Sequence, residues 1–273
     1  MKRNRTIKVL GIIFVVAALL VFINFIPTLR LKTSNMQVIE GQWVNVYYEK
    51  EEAAAKDVAQ LADTRAGELA KKLGFSKKQN ISIYIYDHQA TMQRKKYGLI
   101  GSMLGLDWYI GDNLGTNVIL TSPANPGKAH NYDDNKQAVL HEMVHAYVSI
   151  INPRIRLWLT EGMALYLSNG QPLDKVDIDN IHIPTYSETK TSNPIKFANM
   201  GGYTFANSYI EYIDKHYGWD KVMLIIKTED YEKVFGKSEE DIYNEWLKYI
   251  KRDRGTRDRG TELLSLITVS GVL

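Results

Sequence analysis

The sequence predicts an α+β fold in which a small mixed sheet with helices is followed by a mainly helical lobe, behind an N-terminal transmembrane helix. Three observations predict this class. Short alternating apolar runs, typical of strands, occupy the first part of the chain. Farther along, apolar residues recur at helical spacing. An uninterrupted apolar run also stands near the N-terminus. With 273 residues, 45% of them hydrophobic, the chain is long enough for one large domain or two small ones.

The N-terminal apolar run extends from Val9 to Ile26, with Asn24 as its strongly polar exception. It is long enough to cross a hydrocarbon core of roughly 30 Å. A cleaved signal peptide and an uncleaved anchor both fit, but a cleavable signal has an apolar stretch of about 7–15 residues and a small-x-small site. The longer run without that site favours an anchor in the lipid bilayer. Four positive charges before it predict a cytoplasmic N-terminus and an extracytoplasmic remainder at the cell membrane: Lys2, Arg3, Arg5 and Lys8.

The predicted organisation has four parts. Residues 1–28 form a cytoplasmic stub and transmembrane anchor, 29–36 a linker, and 37–250 one folded domain. Residues 251–273 form a tail, which we expect to be disordered because it contains RDRGT twice in tandem.

Predicted strands and helices alternate in the first part of the folded domain. Strands are predicted at Trp43–Lys50, Ile81–Asp87 and Thr116–Pro123, and helices at Glu51–Phe75 and His88–Lys96. The glycine-rich residues 98–115 indicate a loop or an irregular hairpin. The strand before Pro123 is either an edge strand that pairs with an extended peptide or an ordinary strand of the sheet.

The second part is predicted to be helical. One helix contains Lys136–Ile150, with Asp133, Asp134 or Asn135 as its N-cap, and stops before Pro153. A second helix is expected to start near Thr160. Polar residues with three prolines predict an irregular stretch over 171–200. Further helices are predicted over 201–218, 219–228 and 238–252.

The stretch HEMVH places His141 and His145 four residues apart on the first of these helices. Positions i and i+4 lie on one face of a helix, so both imidazoles can bind one metal ion. Glu142 lies one step round the helix, where a base for a metal-bound water must stand. Zinc lowers the pKa of such a water to about 7, and the glutamate takes the proton as the water attacks. The alternative is a half-buried helix with two hydrogen-bonded histidines.

A catalytic zinc ion needs a third protein ligand and an open position for water. Glu161, in WLTEGMALY, is the candidate because it lies in an apolar stretch of the next helix. A buried carboxylate is costly without a partner, and zinc is one. The alternative is an exposed glutamate that the helix dipole favours near a helix start.

The motifs HEMVHAYV and RLWLTEGMALYL, followed by YTFANSYIEYIDKHYG, resemble the gluzincin branch of zinc metallopeptidases, in particular peptidase MA-like proteins. The resemblance covers roughly residues 117–250. It implies a zincin-like fold, zinc ligands His141, His145 and Glu161, and Glu142 as base. It also implies a tyrosine or histidine that donates to the oxyanion of the reaction intermediate. Tyr203 is the best match for that donor.

Composition excludes several other functions. The absence of cysteine rules out thiolate metal sites, disulfides and a cysteine nucleophile, and a net charge of +3 is too small to suggest a nucleic acid partner. We therefore predict a membrane-anchored, extracytoplasmic zinc metallopeptidase acting on a peptide or protein substrate. The alternatives are an inactive membrane-tethered binding or sensor domain and a hydrolase of non-peptide amide bonds. The remaining histidines are predicted to lie at the surface or in the core, with His182 as a weak alternative ligand: His88, His130, His182 and His216.

Overall fold

The computed structural model describes residues 2–168 and 181–251, with side chains from residue 7 onward. The chain divides into two compact units, Met1–Pro153 and Arg154–Leu273. The first unit contains a sheet and its helices, and the described part of the second is helical. Apart from Lys251, the predicted tail lies outside the described residues, as do residues 171–180 of the predicted irregular stretch.

The N-terminal apolar run is helical, as predicted. Helix α1 spans Lys2–Phe25 and continues as a 3-10 turn at Ile26–Leu29. The segment Ile7–Leu29 is long and apolar enough to cross a membrane, and none of its most apolar window is buried in the protein. A secretory signal sequence meets the same criteria of length and composition.

The first unit contains a mixed sheet of five strands, in the order β1-β2-β3-β5-β4. The strands are β1 (Gln37–Glu40), β2 (Val44–Tyr48), β3 (Ile81–Tyr86), β4 (Gly111–Leu114) and β5 (Asn117–Thr121). The inner strands β2, β3 and β5 run parallel, and β1 and β4 pair antiparallel at the two edges. The predicted α+β class with a small mixed sheet is confirmed at this level.

The edge strands differ from the sequence predictions. The edge beside β5 is formed by β4, so the interpretation of Thr116–Pro123 as an edge strand is wrong and β5 is an inner strand. Strand β4 has the sequence Gly-Asp-Asn-Leu, which lacks the apolar alternation typical of strands. For that reason the glycine-rich stretch around it could be predicted only as a loop or an irregular hairpin. Strand β1 begins where the predicted linker ends and was not predicted.

Three helices pack against the two faces of the sheet: α2 (Glu52–Lys72), α3 (Gln89–Tyr97) and α4 (Tyr132–Ile151). Side chains alternate between the faces along each strand. Tyr86 and Ile119 point to one face, where they cluster with Met92 of α3. Leu120 points to the other, beneath Glu142 of α4. Helix α4 therefore lies on the face opposite α3, packed against α2, β4 and β5.

Helix α4 begins with a capping box at Asn131, two residues before the first of the predicted N-cap positions. The side chain of Asn131 accepts a hydrogen bond from the Asp134 backbone N–H, and the Asp134 carboxylate accepts one from the Asn131 N–H. The predicted caps Asp133, Asp134 and Asn135 are therefore wrong, since the helix already includes all three. Asn135 is buried and donates to the Thr121 carbonyl oxygen at 3.4 Å, which ties α4 to β5.

Asn131→Ala should lower the free energy of unfolding by about 1 kcal/mol, because one N-terminal N–H of α4 loses its acceptor. Thermal denaturation of the full-length chain in detergent measures the change. Asn131→Ser keeps a capping oxygen and is the matched control, which should unfold close to the parent temperature. Equal losses in both variants would contradict the capping role.

The second unit contains α5 (Leu157–Leu167), α6 (Pro194–Asn199), α7 (Gly202–Tyr217), α8 (Trp219–Thr228), α9 (Tyr231–Phe235) and a helix over 239–251, here α10. Helices α7, α8 and α10 match the predictions. Helix α6 lies within the stretch predicted to be irregular, and α9 was not predicted. The buried rings of Trp158 and Trp246 lie 5.9 Å apart and centre an aromatic core that also contains Phe197, Phe205 and Tyr209.

Helix α5 begins at Leu157 and not near Thr160, as the sequence suggested. Its N-cap residue, Arg156, is held by two carboxylates. The backbone N–H of Arg156 donates to Glu229 at 3.1 Å, and its guanidinium pairs with Glu229 and with Glu239, the latter at 2.7 Å. These partners lie more than seventy positions farther along the chain, so the residues around Arg156 could not predict them.

Candidate metal centre

His141 and His145 lie one turn apart on the same face of α4, as their spacing predicts. Their Nε2 atoms are 3.0 Å apart, and the ring planes meet at 80°. Two nitrogen ligands at 2.0–2.1 Å from one tetrahedral zinc ion would be about 3.4 Å apart. The two nitrogens are therefore close to the separation that a shared ion requires. His145 is buried and His141 is half-buried.

Glu142 is buried on α4 and packs over the edge strand at Gly111. A Cβ atom at position 111 would lie 3.1 Å from Glu142 Cγ, 3.3 Å from its Oε1 and 2.9 Å from Leu120 Cδ2. The absence of a side chain at 111 thus makes room for the carboxylate. Sequence reasoning missed Gly111, although a glycine inside a strand often marks such a close approach.

Gly111→Ala should displace the Glu142 carboxylate and weaken the packing of α4 on β4. We expect a destabilisation of about 1–3 kcal/mol, typical of overpacking, which thermal denaturation measures. Asn113→Ala, on the same strand, controls for a general weakening of β4. A melting temperature equal to that of the parent in Gly111→Ala would mean that the packing of α4 on β4 does not depend on this glycine.

Glu161 lies in the first half of α5 and is half-buried. The next residue, Gly162, faces α7 so closely that a Cβ there would lie 2.5 Å from the Ala206 carbonyl oxygen and 2.8 Å from Ile210 Cγ1. The Glu-Gly pair therefore combines a potential ligand with a residue that lets α5 pack directly on the α7 backbone. This close packing fixes the position of α5 within its unit.

His141, His145 and Glu161 form a group of side chains that could hold a metal ion, each offering one ligand atom. The structure thus contains a His/His/Glu cluster compatible with a metal site. Two imidazole nitrogens and one carboxylate oxygen form a donor set that suits zinc, and they leave a fourth tetrahedral position for water or substrate. The residues present therefore fit the ion that the sequence predicts.

Tyr203 lies in the first turn of α7, and 37% of its surface is exposed. Its ring packs edge-on against Phe197 with centroids 5.0 Å apart. A role as donor to an oxyanion remains a prediction. Tyr209 is buried, and its hydroxyl donates to the Tyr231 hydroxyl at 3.2 Å, which agrees with a packing role.

Three further histidines form local contacts. His182, which the sequence offered as a weak alternative ligand, pairs with Glu188 at 2.9 Å. Hydrogen bonds from Thr185, supported by His182, lower the pKa of Glu188 to about 2. His130 lies 2.9 Å from the Trp108 carbonyl oxygen and His216 lies 3.0 Å from that of Tyr212.

No protein-family model matches this chain, and no curated protein matches it. Among solved structures, native yeast LTA4 hydrolase shows a weak structural similarity. The alignment covers 78% of this chain and 36% of that protein, with 13% sequence identity and a TM-score of 0.41. The chain thus spans about a third of the length of that hydrolase.

Proposed function

We propose that this protein is a membrane-anchored zinc metallopeptidase that hydrolyses peptide bonds in an extracytoplasmic substrate. The observation that supports this most is the His141, His145 and Glu161 cluster. A buried glutamate adjoins it in the chain, at Glu142. Two imidazoles and a carboxylate with a neighbouring base are the groups that metal-assisted hydrolysis requires.

His141, His145 and Glu161 would hold the zinc ion. When bound, zinc supplies Lewis acidity that makes a water molecule more acidic and polarises the scissile carbonyl. Glu142 accepts the proton of the attacking water and passes it to the leaving amine, which is general base and then general acid catalysis. Tyr203 donates a hydrogen bond to the oxyanion that develops on the substrate.

Helix α1 remains attached as a single-pass anchor in this proposal. The positive charges before it keep the N-terminus in the cytoplasm and direct the rest of the chain outside. Asn24, the strongly polar residue of the run, supports retention because it makes two hydrogen bonds with the folded part of the first unit. A leader removed during export would have no use for these bonds.

Removal of the metal tests the proposal. The full-length protein, purified in detergent, should contain about one zinc ion per chain and cleave a peptide library. A strong chelator should abolish cleavage, and added zinc should restore it. Bound zinc without cleavage would favour the inactive binding or sensor domain. A protein that takes up no zinc at neutral pH would overturn the proposed function.

A further inference from the structure

A short turn after α3 exposes a group of apolar side chains. The 3-10 helix Leu99–Met103 and the residue after it, defined here as the apolar turn (residues 99–104), present four of them to solvent. Met103 is 82% exposed, and the other three are about half exposed: Leu99, Ile100 and Leu104. Clusters of exposed apolar side chains usually mark an interaction surface.

The apolar turn is joined directly to the end of α1 through Asn24. The Asn24 amide nitrogen donates to the Tyr97 carbonyl oxygen at 3.2 Å, and its amide oxygen accepts from the Ile100 backbone N–H at 3.1 Å. Gly98 lies so close that a Cβ there would be 2.3 Å from the Asn24 carbonyl oxygen, and its φ of 79° also favours glycine. The turn is therefore held beside the last residues of the apolar helix.

Basic side chains adjoin the same region. Lys95 donates to the Arg30 carbonyl oxygen at 2.6 Å, just beyond the end of α1. Arg94 donates to the Ser102 hydroxyl at 3.0 Å, within the turn. Apolar residues beside Lys and Arg are the combination that binds at the boundary between acyl chains and anionic headgroups.

We propose that the apolar turn is a second membrane contact, which inserts into the outer headgroup and acyl boundary beside the emerging anchor. The partner is the lipid surface, because the turn is bonded to the last turns of a helix that itself passes into the bilayer. Asn24 then fixes the angle between α1 and the rest of the first unit, and the apolar turn holds that unit against the membrane surface. This inference rests on the anchoring proposed above and is independent of the peptidase activity.

Site-directed labelling tests whether the apolar turn contacts the membrane, and the absence of cysteine makes single labels straightforward. Met103→Cys places a fluorophore at the most exposed apolar side chain of the turn. Ser76→Cys, which precedes β3 and so lies at the strand end away from α3, is the control. Both full-length proteins are reconstituted in vesicles of phosphatidylcholine and phosphatidylglycerol. Quenching is measured with aqueous iodide and with a lipid that carries a nitroxide near its headgroup.

The label at 103 should be quenched severalfold more by the nitroxide lipid than the label at 76, and severalfold less by iodide. Asn24→Ala should reduce the difference, because the turn loses its tie to α1. Equal iodide quenching at both sites, with no lipid quenching at 103, would overturn the inference. Mass analysis of the same sample tests the anchor separately. A chain that has lost residues 1–26 would overturn both the anchor and the membrane contact of the apolar turn. Absence of peptidase activity would leave both of these proposals intact.

Discussion

Replacing Glu142 with glutamine is expected to lower the rate of peptide hydrolysis by about 10²–10⁴-fold, the usual contribution of a positioned acid–base group. Glutamine has nearly the same shape, so it fits above Gly111, but its amide cannot accept the proton of the attacking water. Zinc content should remain at the parent level, because Glu142 is not a proposed ligand. Turnover of a cleaved peptide and metal analysis on one preparation measure both quantities.

Glu68→Gln is the matched control for this prediction. Glu68 has a largely exposed side chain on α2, paired with Arg65 at 3.3 Å. An exposed pair of this kind contributes little to stability, so the control should retain parent activity. If Glu142→Gln hydrolysed peptides at the parent rate with zinc bound, another group would have to serve as base.

The pair of histidines was the part of the candidate site most accessible to sequence reasoning, for a local reason. The positions of His141 and His145 relative to one another are fixed by helical geometry, and four residues of strong helical pattern suffice to establish it. Glu161 lies on the next helix, so its assignment as a ligand could not come from helical spacing. That assignment rested on chemistry, since an apolar stretch accommodates a carboxylate poorly without a partner.

Gly111 and Asn131 show where such reasoning stops. Gly111 matters because α4 crosses β4 at that point, and β4 has too little apolar alternation to be recognised as a strand. At the start of α4, several residues were chemically suitable caps. Only the backbone geometry selects Asn131, whose φ of −117° and ψ of −179° place it outside the helix.

Asn24 is an intermediate case. The sequence shows that Asn24 is the strongly polar residue of an apolar run, but it does not show which groups its side chain bonds. Its partners, Tyr97 and Ile100, are more than seventy positions away along the chain and were found only in the folded structure. The start of α5 could not be predicted for the same reason, because Arg156 pairs with Glu229 and Glu239, which lie much later in the chain.

Replacing Glu161 with glutamine should have the second large effect, on zinc affinity. Loss of a partner that only orients a ligand typically costs 10–100-fold in affinity or activity, so loss of the ligand itself should exceed about 100-fold. The amide keeps the size of the carboxylate but lacks its charge, so the remaining imidazoles would bind zinc without a neutralising anion. Competition with a chromogenic chelator measures the affinity.

Two variants make the Glu161 test specific. Glu232→Gln, at an exposed position of α9, removes the same charge from the same unit and should leave zinc affinity unchanged. Glu161→Asp keeps the charge but shortens the side chain by one methylene, so it should retain more affinity than the amide. Parent affinity in Glu161→Gln would show that the histidines bind zinc without this carboxylate. The resemblance to gluzincins would then lose the feature that separates them from other proteins with paired helical histidines.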